Sequence, residues 1–217
     1  MTEPEARTAE VSASPEIERC DLCDTELDDR HGHVADLENR SILCTCRACY
    51  LLFTREAAGG LRYRAVPDRY LHDPGRPITA AEWEQLQIPV AAAFFLRSTS
   101  ADSVQGTLGA FYPGPAGATE CLLDLDAWAR LEAEHPLLAE ARPDVEAIVI
   151  RRDAGHEDCY LVPIDACYEL IGRIRLHWRG FDGGAEAHAS IDAFFDGLRA
   201  RSRPLAQHAG ADGTNHG

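Results

Sequence analysis

From residue 77 onward, apolar positions fall into runs that each suit one element. Val90 to Leu96 is an unbroken apolar run of strand length, and Val104 to Tyr112 is a second strand loosened by Gly106 and Gly109. The polar stretch Ser98 to Ser103 between them fits a hairpin loop. Pro113-Gly-Pro-Ala-Gly117 is a turn into a third strand, Thr119 to Leu123. Thr79 and Glu82 have capping-box spacing ahead of Trp83 and Leu86. Asp124 stands where a helix cap belongs, before Leu125, Trp128 and Leu131 spaced three apart, and Pro136 stops that helix. Val145 to Arg151 and Cys159 to Ile164 are further strands around the polar turn Asp153 to Asp158. Asp165 is placed to cap a helix whose stripe is Cys167, Ile171, Ile174 and Trp178. Gly180, Gly183 and Gly184 break it, and a last helix, about Glu186 to Arg201, turns Ile191, Phe194, Phe195 and Leu198 inward. Strands and helices interspersed in this way predict an α+β body, a mostly antiparallel sheet covered by helices.

The first 76 residues differ. Residues 1–16 are polar with almost nothing to bury and are expected to be a disordered tail, as are residues 204–217. Between Cys20 and Phe53 lie short strand-like pieces dense in cysteine. The stretch Glu56 to Pro77 carries Gly59-Gly60, Pro67, Pro74 and Pro77, with Leu61 to Ala65 alternating like a strand inside it. The expected organisation is a zinc-ribbon-like metal-binding module over residues 17–76 and an α+β domain over residues 77–203.

Charge narrows the function. The 217 residues carry 21 basic and 36 acidic side chains, a net charge of −15, and every basic residue is arginine. The acidic balance argues against nucleic acid as a partner and against docking on anionic lipid. Without lysine there is no phosphate-loop lysine and no Schiff base, and GxSxG, HExxH and GxGxxG are missing as well. No apolar run reaches the roughly 20 residues that span a bilayer. The acidic, polar start does not resemble a secretion signal, so the expected compartment is the cytoplasm, where cysteines stay reduced and clustered ones favour metal.

The strongest chemical pattern is Cys20-Asp-Leu-Cys23 with Cys46-Arg-Ala-Cys49, two C-x2-C pairs separated by 22 residues. Each pair can present two sulfurs from one tight turn, and four thiolates complete a tetrahedral shell around Zn²⁺. Such a shell is closed, hence structural. Iron is the alternative: rubredoxin-type sites use the same pairs, but with glycine after the second cysteine, where this chain has Asp24 and Tyr50. Cys44, two residues before Cys46, and His31-Gly-His33 between the pairs are candidate additional or alternative ligands. They could replace one cysteine of the four or form a second group of their own. Cys44 and Cys46 would share a strand face, roughly 6.6 Å apart.

Other polar groups have plainer readings. His156, Glu157 and Asp158 with Asp153 suit a solvated turn. Cys121, Cys159 and Cys167 read as small core residues without an activating neighbour. Arg173, Arg175 and Arg179, with His177, form the one basic patch and read as an exposed helix face. No catalytic constellation stands out.

The run Cys20 to Cys23, then His31-Gly-His33, then Leu43-Cys-Thr-Cys-Arg-Ala-Cys49-Tyr-Leu-Leu-Phe53 resembles an uncharacterised family of bacterial proteins encoded beside NiFe-hydrogenase genes. Gly109 to Pro115, Cys159 to Leu170 and His177 to Gly180 fit the same resemblance, which covers about Cys20 to Arg203. It implies a setting, hydrogenase assembly or operation, and a protein partner such as a hydrogenase subunit or maturation factor. It implies no mechanism. The resulting expectation is a non-enzymatic accessory protein with a structural zinc site, or alternatively an iron electron-transfer module serving a hydrogenase.

Overall fold

Strands β1 (Gly32–Asp36), β2 (Ser41–Thr45) and β3 (Tyr63–Ala65) pair antiparallel in the order β2-β1-β3. Helix α1 (Arg47–Leu52) follows β2 directly. The computed structural model describes residues 17–55, 62–100, 103–153, 156–180 and 183–206. Of the tails expected over residues 1–16 and 204–217, residues 1–16 and 207–217 lie outside the described residues, as do Gly59 and Gly60, whereas Arg203–Pro204 forms a short strand and Leu205 packs on the core.

The larger sheet contains β4 (Leu71–His72), β5 (Ala92–Ser100), β6 (Ser103–Gly114), β7 (Gly117–Cys121), β8 (Glu146–Asp153), β9 (His156–Pro163) and β10 (Arg203–Pro204). Their order is β10-β4-β9-β8-β5-β6-β7. Every pairing is antiparallel except β10 with β4. Helices α2 (Ala80–Gln85), α3 (Leu125–Glu134), α4 (Pro136–Ala139), α5 (Ile164–His177) and α6 (Gly184–Arg201) cover it. The fold is α+β with mostly antiparallel sheets.

The period-2 alternation of a strand explains why the central segments are almost uniformly apolar. Phe94, Ala147, Val149, Tyr160 and Val162 face one cluster, with Leu170, Ile174, Phe194 and Phe195 of α5 and α6. Phe95, Ile148, Ile150 and Leu161 face the other, with Trp83, Trp128, Leu131 and Leu138 of α2, α3 and α4. Both faces of the sheet are buried, so both sets of alternate residues are mainly apolar. Thr79 caps α2 with the full capping box, and Asp124 caps α3 through Asp126 N and Ala127 N.

Several features depart from the sequence expectations. Pro136 ends one helix and opens the next, where its missing N–H costs nothing. Asp165 lies inside α5, one residue after Ile164, and Pro163 takes the cap position. Asp158 is not in a solvated turn. It is buried in β9, accepting from Arg151, Arg199 and Tyr160, and the Arg151 guanidinium lies 4.2 Å over the Phe195 ring. The basic patch on α5 is partly neutralised, because Arg173 donates to Glu169 one turn earlier.

The line drawn at residue 76 does not separate the two sheets. β4 precedes it in sequence yet pairs with β9, and Ala35 and Val66 join the cluster under α5 and α6. Two ion pairs reinforce the junction: Arg64 with Asp144 at 2.7 Å, and Arg69 with the fully buried Glu146 at 2.7 Å. Among the described residues, no helix is long and apolar enough to cross a membrane.

Candidate metal centre

The first cysteine pair sits on a tight knuckle. Asp24 N donates to Cys20 O and Cys20 N donates to Thr25 O, both at 2.8 Å. Closing that turn places Asp24 at φ 62°, the left-handed region where glycine is usual. Arg19 Nη1 donates to the Asp24 carbonyl at 2.8 Å and holds the residue there. Asp21 then ties the knuckle to β2: its N–H donates to Cys44 O at 2.9 Å, and its carboxylate accepts from Cys44 N at 2.7 Å.

The second pair is built differently from the tight turn that its spacing predicts. Cys46 is the N-cap of α1 and Cys49 lies one turn into the helix, with Tyr50 N donating to Cys46 O at 2.9 Å. This is why Tyr50 needs no left-handed backbone. Knuckle and helix start bring Cys20, Cys23, Cys46 and Cys49 together, all four sulfurs within 4.8 Å of one another and Cys23 Sγ 3.6 Å from Cys46 Sγ. A tetrahedral ion with 2.3 Å zinc–sulfur bonds spaces its sulfurs about 3.8 Å apart, so the group fits such a shell.

The protonation of the metal-free group is uneven. The Thr25 hydroxyl and N–H, then the neighbouring cysteines, pull the Cys23 thiol down to about 6. Cys20 is opposed by its burial, but backbone N–H groups of Cys46, Leu22 and Cys23 hold it below the ordinary thiol value. Burial and the adjacent sulfurs push Cys49 up to about 12. A metal ion bound by these thiolates would displace the protons that remain.

Cys44 does not belong to this group. The chain leaves β2 after Thr45 to start α1, so Cys46 joins the four sulfurs while Cys44 faces His33, its register partner on β1. His31, His33 and Cys44 form a second group, one ligand atom of each lying within 4.8 Å of the others. The two imidazoles meet edge to face with centroids 5.0 Å apart. His33 Nδ1 lies 2.7 Å from Asp165 Oδ2, a hydrogen bond that raises the imidazole pKa. Burial raises the Cys44 thiol, reinforced by Asp21, Glu18 and Asp165. Gly32 between the histidines is needed for close approach, because a Cβ there would lie 2.6 Å from the Tyr50 ring of α1.

Asp165 escaped sequence reasoning as a partner of this group. It stands 132 residues from His33, and no local pattern announces the contact. The remaining thiols lie elsewhere: Cys159 packs in one core cluster, pushed up to about 12 by burial, and Cys167 in the other. Cys121 donates to Ala110 O at the edge of the sheet.

The family of unknown function DUF5947 has a sequence model that matches residues 19–202, which takes in both groups of candidate ligands. The chain belongs to that family. Neither the curated proteins nor the solved structures provide a match.

Proposed function

We propose that this member of DUF5947 is a non-enzymatic accessory protein held together at its amino-terminal end by a structural four-cysteine zinc site and acting through contact with a protein partner. The observation that carries this reading is the convergence of Cys20, Cys23, Cys46 and Cys49 from two separate elements within 4.8 Å. Four thiolates close a tetrahedral shell and leave no position for a substrate. The knuckle, the short hairpin and the six residues of α1 bury little by themselves. A bound ion then contributes the folding energy of this part, on the order of 10–16 kcal/mol in small zinc modules.

The donor set and the first knuckle are zinc-ribbon-like, while the second pair starts a helix. Zinc is favoured over a rubredoxin-like iron site because Asp24 and Tyr50 stand where such iron sites have glycine. Leu22 on the knuckle and Leu51 and Leu52 on α1 expose apolar surface beside the ligands, suited to a protein contact. The sequence resemblance makes a hydrogenase subunit or maturation factor the expected partner.

Metal analysis and absorption spectra of full-length protein purified without oxygen test the site. Zinc that is lost in Cys23→Ser, with no thiolate-to-iron bands, is the expected result. Iron with such bands would replace this reading with electron transfer. Affinity capture from cells expressing this chain together with NiFe-hydrogenase genes tests the partner, and recovery of no hydrogenase component would refute that part.

A further inference from the structure

We infer that His31, His33 and Cys44 form a second, open metal site that binds a divalent ion of the zinc–cobalt class and keeps its fourth position free for an exchangeable ligand. This goes beyond the structural site and does not depend on it. The argument starts from which ring nitrogens are already committed. His31 Nδ1 lies 3.0 Å from the Asp28 carbonyl, an acceptor only, so the Nδ1 must carry the proton. That leaves His31 Nε2 as the lone-pair nitrogen. It is buried and has no hydrogen-bond partner among the described residues. A buried acceptor left bare is costly, by about 1–3 kcal/mol, and native structures rarely leave one without a role.

His33 repeats the arrangement with a carboxylate. Its Nδ1 is held by Asp165 Oδ2 at 2.7 Å, which leaves Nε2 for a ligand. Histidines that bind metals commonly have the other nitrogen anchored on a carbonyl or carboxylate in this way, fixing tautomer and ring orientation. Asp165 is itself set in place, its Oδ1 accepting from Ala166 N at 2.9 Å. With both oxygens engaged, Asp165 is a positioning residue and does not close the shell. Cys44 completes the set from across the strand pair, in register with His33. Ligand atoms bonded at about 2.0–2.3 Å in a tetrahedron lie roughly 3.3–3.8 Å apart, and one ring nitrogen of each histidine and the Cys44 sulfur already lie within 4.8 Å of one another.

Two imidazoles and one thiolate suit borderline ions such as Zn²⁺ and Co²⁺ and make a three-ligand shell, the pattern that leaves a fourth position for water or an incoming group. His33, Cys44 and Asp165 also line a groove of about 570 Å³ with Tyr168, Glu169 and Arg201, through which an exchangeable ligand would reach the site. The groove is walled by β1 and β2 on one side and by α5 and α6 on the other, so the hairpin supplies the three ligands and the body supplies the carboxylate that orients His33.

Cobalt(II) titration of the full-length, metal-free chain tests the inference, read by bound metal per chain and by the visible spectrum. The wild-type chain is expected to take two equivalents, one with four-thiolate absorption and one with the weaker charge-transfer band of a single thiolate. Cys44→Ser and His31→Gln should each lose the single-thiolate equivalent and keep the four-thiolate one. Asp165→Asn should keep both but weaken the second site about 10–100-fold, the usual effect of removing a carboxylate behind a ligating histidine. Azide, as a probe of the free position, should shift only the second set of bands. Saturation of the wild-type chain at one four-thiolate equivalent would overturn the inference, as would two equivalents retained in both Cys44→Ser and His31→Gln. Azide without effect would refute the open position. A chain taking only the single-thiolate equivalent would uphold this site and refute the four-cysteine one.

Discussion

Replacing Arg69 by Met isolates the strongest polar link between the amino-terminal strands and the body. Glu146 is fully buried and accepts three hydrogen bonds: Arg69 Nε at 2.8 Å, Arg69 Nη2 at 2.7 Å and Arg142 N at 2.9 Å. Arg69→Met leaves the carboxylate with the last of these alone. Breaking a buried pair from one side costs about 3–5 kcal/mol, because the remaining charge keeps its desolvation penalty. The Arg69 side chain is 27% exposed, which lets water reach the vacated space and places the expected cost near the lower end, about 3 kcal/mol. With a urea slope of about 2–3 kcal/mol/M, the unfolding midpoint should fall by roughly 1–1.5 M. Urea titration of the full-length protein, followed by circular dichroism, measures this. The double variant Arg69→Met with Glu146→Leu removes the stranded charge and should recover at least half of the loss, since an apolar replacement of a buried ion pair is often neutral. A single-variant shift below about 0.3 M, or a double variant no better than the single one, would refute the claim that this pair matters through its burial.

Three further outcomes follow from particular contacts. Gly32→Ala drives a methyl to 2.6 Å from the Tyr50 ring; overpacking of this kind should cost about 1–3 kcal/mol, read as a lower thermal midpoint. Thr79→Ala removes the acceptor for Glu82 N, now at 3.3 Å, and should cost about 1 kcal/mol, lowering Tm by about 2–4 °C. The third concerns acid. The Arg62 guanidinium holds the Asp36 carboxyl down at about 2, so the pair's contribution is complete above the ordinary aspartate value near ~3.9 and disappears as pH falls through about 2. Arg62→Gln should therefore be less stable than wild type at pH 6, with the gap closing towards pH 2 in denaturant midpoints measured across that range.

The elements that were legible in the chain are those specified by local chemistry. Thr79 with Glu82 and Asp124 with its two following N–H groups mark helix starts within three residues, and the structure places both caps there. The paired C-x2-C spacing names its own four candidate ligands, and their sulfurs lie within 4.8 Å of one another. The central strands were legible as apolar runs, although nothing in a run such as Val145 to Ile150 says which alternate residues face which cluster. The two-residue strands β4 and β10 have too few positions to make a pattern. Helix α1, with no buried residue of its own, has no apolar stripe to betray it.

Composition, charge, caps and cysteine spacing thus belong to the sequence by itself, because each depends on neighbours a few residues apart. Tertiary structure alone decided that Cys46 and Cys44 go to different groups, that Asp158 is buried against Arg151, and that His33 finds Asp165. Those outcomes depend on strand register and on packing between segments more than a hundred residues apart in the last case. A contact of that kind forms only once the intervening chain has folded, and no local periodicity encodes it.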